Sequence, residues 1–172
     1  MELEQIKLAV LTFVEANQAY APLIVGLLAF CESLAVLSLV VPATFLLVGI
    51  GALIGATGIE FWPVWLAAAV GAILGDSVSY ALGRYFKHGA LTILPLSKNP
   101  GMVERGRAFF GKWGAWGLFI GRFFGPLRAV VPLIAGIFVM PMFLFQMVNV
   151  ASAMVWAFVM LAPGAGLMQA VR

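Results

Sequence analysis

Residues 121–136 read GRFFGPLRAVVPLIAG. Two arginines, Arg122 and Arg128, stand in a run that is otherwise almost wholly apolar. Pro126 and Pro132 interrupt any helix there, and Gly121 and Gly136 close the two ends. In a soluble core this would be odd, and in a membrane it is expensive. An arginine at the bilayer centre costs about 2.5 to 3.5 kcal/mol even on the lenient insertion scale. Each proline removes a backbone donor. Broken backbone at membrane depth persists only where protein or a polar cavity covers it. The stretch therefore reads as a broken, re-entrant segment that turns two cations toward a polar site.

The rest of the composition requires the membrane reading. The chain has 172 residues, 63% of them hydrophobic and 10% charged, with a mean hydropathy of +1.08. Soluble domains carry about 25% charged residues. The length fits one domain. The net charge of +3 is concentrated: Arg84, Lys87, Lys98, Arg105, Arg107 and Lys112 face a single acid, Glu104, within residues 84–112. That asymmetry is a topology signal and makes the segment a cytoplasmic connector. Without a basic stripe interleaved with aromatics elsewhere, no nucleic-acid partner is expected. The single cysteine, Cys31, excludes an intramolecular disulfide and reads as a small buried hydrophobe. The N-terminus does not have the pattern of a cleavable signal.

Outward from the arginine stretch, the chain divides into two similar halves. Residues 2–20 form an amphipathic interfacial helix. Residues 22–58 carry one charge, Glu32, and break at Pro42. Thirty-seven residues are barely enough for two spans of about 20, so a re-entrant hairpin is the economical reading and two full spans the alternative. Residues 63–83 form a transmembrane helix in which Gly71, Gly75, Ser79 and Gly83 recur every fourth position, a pattern that allows close helix approach within one chain or between copies. Residues 113–140 form the second hairpin, residues 142–161 the second transmembrane helix ending at Pro163-Gly164, and residues 162–172 a tail. The fold class is an all-α integral membrane protein. Two proline-broken hairpins, each followed by a span, form an inverted repeat of the kind transporters use.

The chemistry-bearing residues follow from this layout. Arg122 and Arg128 are six positions apart, on opposite faces of a straight helix, but a break at Pro126 lets them converge on a phosphate or carboxylate. Glu32 can pair with one of them or take a proton. Asp76 can pair with Arg84 or face the site. Tyr80 and Asn149 read mainly as interhelical hydrogen-bonding groups. His88, the only histidine, has no neighbouring cysteine or carboxylate pair, so no metal site is expected. No triad geometry and no phosphate-loop or dinucleotide fingerprint occurs. The chain reads as a transporter without cofactor and not as an enzyme.

GAILGDSVSYALGR (71–84) and GRFFGPLRAVVPLIAG (121–136), with Glu32 ten residues before Pro42, resemble the DedA family, also called the VTT-domain family. The similarity extends over about residues 20–155. The resemblance implies a polytopic bacterial inner-membrane protein with two inverted hairpins that moves lipids such as undecaprenyl phosphate or phospholipids between leaflets, linked to the proton-motive force. It implies that Glu32, Arg122 and Arg128 are the essential residues. Asp76, Tyr80 and Thr44 complete the expected substrate-binding set, with Pro42, Pro126, Pro132, Gly75, Gly121 and Gly136 as structural supports. One departure stands out. Where many members carry an acid at the first hairpin tip, this chain reads Pro42-Ala43-Thr44, and a threonine cannot titrate. The expected partners are a lipid with a phosphate head group, protons or cations, and, in a homo-oligomer, a second copy of the chain. The alternatives are a carrier of a small soluble anion and, ranked low, a lipid phosphatase.

Overall fold

The computed structural model describes residues 16–34, 44–86 and 100–170, together with residues 5, 12 and 13. The interfacial helix expected over 2–20, the connector over 87–99 with His88, and Pro42 lie wholly or largely outside the described residues. After a short 3-10 turn, Gln18–Tyr20, six helices follow: α1 Ala21–Ser33, α2 Thr44–Thr57, α3 Phe61–Phe86, α4 Pro100–Gly121, α5 Gly125–Ile137 and α6 Met142–Ala170. No strand occurs among the described residues. Among the described residues two helices are long and apolar enough to cross a membrane, Phe61–Phe86 and the Met142–Gly166 part of α6. At 26 residues α3 is about 39 Å long, enough for a hydrocarbon core of about 30 Å.

Helices α3 and α6 form the central antiparallel pair. Their contacts descend in register: Phe61 meets Phe158 edge to face, and the Trp65 indole donates to the Met154 carbonyl. Further along, the Asn149 amide donates to Ile73 O, the Gln146 amide to Ser77 Oγ, and Tyr80 stacks on Phe145. Against this pair, α1 packs on α3, α2 on α6, α5 on α3 and α4 on α6. Helix α1 runs parallel to α3. Gly26 lies against Ala67 and Gly71, whereas Phe30 and Ser33 lie against Gly75. The α1 terminus at Ser33 thus sits at mid-height on α3. The chain then has to travel back to reach Phe61, and α2, about 21 Å long, lies on that return.

Proline has less effect on the backbone than the sequence led us to expect. Pro126 falls in the first turn of α5, where a missing N–H is one the helix does not use. Pro132 lies inside α5 without ending it. The break is earlier, at residues 122–124, between α4 and α5. Likewise Pro163 does not end the last span, because α6 continues to Ala170. Packing neighbours let a membrane helix carry a proline without unwinding. Gly164 serves contact instead: a Cβ there would lie 2.5 Å from Ala52 N. A kink does occur at Gly114, with φ 53° and ψ −128°, a conformation that a side chain would strain. It separates the basic part of α4 from its apolar end.

Glycine sets the helix crossings. A Cβ on Gly71 would strike the Gly26 backbone, one on Gly83 the Leu133 carbonyl, and one on Gly136 the Tyr80 carbonyl. The ladder of small residues on α3 is therefore used within the chain, against α1 and α5. Replacing Gly71 or Gly136 by valine is expected to lower stability by about 1–3 kcal/mol through overpacking. Gly111→Val, at a position with open space around it, serves as the control. Thermal unfolding in detergent, followed by tryptophan fluorescence, measures the difference.

Candidate functional site

The site is a buried cluster of charges where four helices and the 122–124 turn meet at mid-height. Arg122 follows directly on α4, and Arg128 lies on the first turns of α5. Both are buried, at 5% and 6% exposure. Arg122 is ion-paired with Asp76 of α3, and its Nη2 donates to Asn149 Oδ1 of α6 at 2.8 Å. Arg128 Nη1 meets Glu32 Oε1 of α1 at 3.0 Å, and its Nη2 donates to Ser33 Oγ at 3.0 Å. The Arg128 guanidinium also lies 3.8 Å from the ring centre of Trp156, a cation–π contact that is strongest when desolvated. Two cations and two anions thus make a neutral set. The arginines come from one half of the sequence and the acids from the other.

Second contacts hold these groups in place. Asn149 donates to Ile73 O while accepting from Arg122, which fixes its orientation between α3 and α6. Ser152 Oγ donates to Asn149 O, and Ser79 Oγ to Ser33 O. A Cβ on Gly75 would lie 2.7 Å from Ser33 Cβ, and one on Gly121 2.9 Å from Val131 Cγ2. Both glycines therefore let the C-terminal ends of α1 and α4 reach the cluster. Arg122 Nη1, Arg128 Nε and Asp76 Oδ1 have no protein hydrogen-bond partner among the described residues. In a buried setting such groups are expensive to leave unmade. They are donors and an acceptor positioned around the same cluster.

The structure brings Glu32, Asp76, Arg122 and Arg128 together. It separates Tyr80 from them. The Tyr80 hydroxyl donates to Met140 O at 2.6 Å and accepts from Arg84 Nη1 at 2.8 Å. Arg84, the partner considered for Asp76, is used there instead. Val139, at φ 55°, turns the chain so that the Met140 carbonyl can receive that bond. Thr44 opens α2, and its side chain lies outside the described residues. Sequence reasoning missed Ser33 and Trp156. Trp156 sits in an apolar span, so nothing local distinguishes it from packing. The signal available was that it is the only tryptophan away from the ends of an apolar segment.

A helical protein with two candidate membrane spans and a buried, internally neutralised pair of arginines is thus the class that the fold and the site define. The chain belongs to the VTT-domain family, whose model matches residues 41–166. It is 34% identical to the inner membrane protein YabI of Escherichia coli, over 88% of this chain and 60% of that protein. It is 31% identical to an uncharacterized membrane protein of Buchnera aphidicola, over 89% of this chain and 60% of the relative. A membrane protein of Mycobacterium tuberculosis is 32% identical over 78% of this chain and 63% of its own length. The chain spans about 60% of the length of the first of these curated relatives. No solved structure matches it.

The pairing makes a double-substitution prediction. Arg128→Met alone takes the cation away from the buried Glu32 charge and is expected to cost about 3–5 kcal/mol. Adding Glu32→Leu removes that charge, and most of the loss should be recovered. Unfolding of the two singles and the double in detergent gives the coupling. Additive losses would mean that the two side chains do not act as a pair.

Proposed function

We propose that this chain is a multi-pass inner-membrane transporter, not an enzyme, that moves a phosphate-bearing lipid between leaflets. Undecaprenyl phosphate or a phospholipid is the cargo, and a proton or cation gradient drives it. The observation that carries the reading is the pairing of Arg122 and Arg128 with one acid each from other helices, buried at mid-height. Two guanidiniums suit a phosphate bidentately. The acids keep the site neutral while it is empty. A phosphate replaces Glu32 and Asp76 as the anionic partner, and protonation of Glu32 releases Arg128 to accept it. Because Trp156 contacts the cation itself, it can hold Arg128 in either state.

The reading includes two re-entrant hairpins related by an inverted repeat, α1–α2 and α4–α5. Its support is that α1 ends beside Gly75 and α4 ends beside Asn149, both well inside the spans. The packing scheme supports it too. The second arm of each hairpin lies on the span of the other half, α2 on α6 and α5 on α3. Membrane location is supported by the similarity to YabI. With tails left in lipid, only the head group needs a polar path, which fits a small charged cluster better than a pore.

The test is translocation in liposomes of a labelled polyprenyl phosphate and a labelled phospholipid. Arg122→Ala and Arg128→Ala should each lower the rate by about thirtyfold, the effect of losing a charge-assisted contact of about 2 kcal/mol. Glu32→Gln, which keeps the side-chain shape and an oxygen that can accept from Arg128, should lose the dependence on an imposed proton gradient in protein shown to be folded. Absence of flux for both lipids, with folded protein and a gradient, would overturn the proposal. Transport of a soluble anion under those conditions would replace it with a carrier.

A further inference from the structure

Helix α5 carries Arg128 near its start, and its other end is tied down away from the charge cluster. The helix closes at Ile137, and Val139 follows in the left-handed region at φ 55°. The Val139 amide donates to Gly136 O and the Met140 amide to Ala135 O, both at 3.0 Å. This is the Schellman arrangement, whose left-handed position is usually glycine. A β-branched residue is strained there, and such strain persists only where the surroundings over-determine it. The turn presents the Met140 carbonyl to α3, where the Tyr80 hydroxyl donates to it at 2.6 Å.

The Tyr80 side of that bond is equally determined. Arg84 Nη1 donates to the Tyr80 oxygen at 2.8 Å and reaches Met140 O at 3.4 Å. Because the phenol oxygen accepts from Arg84, its own proton is directed to Met140. The ring is buried and stacks on Phe145 with centres 4.2 Å apart, which holds the hydroxyl in one place.

The crossing of α5 on α3 needs such a tie. A Cβ on Gly83 would meet the Leu133 carbonyl, and one on Gly136 the Tyr80 carbonyl. Glycine thus takes both sides of the closest approach, and no side-chain knob stands there. Knobs seated in holes are what lock the register of packed helices, so polar contacts carry more of that task here. At the start of α5 these are the contacts of Arg128 with Glu32 and Ser33. At its end it is the Tyr80–Met140 bond. Arg128 and Ile137 are nine residues apart in one helix, about 14 Å along its axis. The helix continues through Pro132, so a displacement at one end is passed to the other.

We infer that Tyr80, with its hydroxyl oriented by Arg84, is a positioning residue that holds the end of α5 and so keeps Arg128 against Glu32 and over Trp156. Tyr80 acts on the site through α5 and not by touching a cargo. Its effect on flux rests on the transport reading above, whereas its effect on Arg128 does not.

The experiment reads Arg128 through Trp156, whose ring centre lies 3.8 Å from the guanidinium. Replacing Trp62, Trp65, Trp113 and Trp116 by phenylalanine in the full chain leaves Trp156 as its one tryptophan. In liposomes, Arg128→Met sets the change in emission for complete loss of the cation. Tyr80→Phe keeps the ring and its stacking. It should give more than half of that change and lower lipid flux about fivefold, the equivalent of one buried hydrogen bond. Tyr85→Phe, at an exposed position, should alter neither. Adding Val139→Gly to Tyr80→Phe relieves the strained turn and should raise thermal stability without restoring the emission. If Tyr80→Phe alone does not fold, this double variant is read in its place. Unchanged Trp156 emission in folded Tyr80→Phe would overturn the inference. So would recovery of the emission in the double variant, which would leave Tyr80 a role in stability only. Shifted emission in a protein that shows no lipid flux before substitution would leave the positioning role standing and remove the transport reading instead.

Discussion

Two arginines buried in an apolar bundle control everything around them. A guanidinium removed from water loses far more than any single packing contact returns, so each must meet an anion inside the protein. The structure supplies Asp76 to Arg122 and Glu32 to Arg128. Those acids lie on α3 and α1, and the arginines lie at the end of α4 and on α5. The ion pairs therefore require the two halves of the sequence to interlock, and a shift of one turn in any of these helices would leave a buried charge alone.

Close approach makes that interlocking possible. Gly71 against Gly26, Gly83 and Gly136 against the α5 and α3 backbones, and Gly164 against α2 bring helix axes near enough for short polar side chains to bridge them. Ser33, Ser79 and Asn149 could not otherwise span the gap. Without a hydrophobic driving force in lipid, tight packing and buried hydrogen bonds carry the association of helices. The same residues that shape the bundle thus determine where the charges end up.

A neutral charge cluster also has a functional logic. Arginine retains its charge under all ordinary conditions, whereas a carboxylate can give way to a proton or to another anion. In the proposed transport cycle Glu32 and Asp76 are the exchangeable partners and the arginines the fixed ones. Trp156, which contacts the Arg128 cation through its ring face, remains a partner through such an exchange.

Composition, the basic connector, the ladder of small residues and the four buried charges were all legible in the sequence by itself. Each is a local property, since the cost of a charge or a proline in lipid depends on residue type and immediate surroundings. Which acid meets which arginine was not legible. Asp76 had Arg84 within its own helix as a rival, and only the placement of the 122–124 turn beside α3 gave it Arg122. Pro132 and Pro163 looked like helix ends, but neighbouring helices sustain α5 and α6 through them. Trp156 is one apolar residue among many until the fold brings Arg128 over its ring. These outcomes depend on the relative placement of segments far apart in the chain, and that placement is a property of the tertiary structure alone.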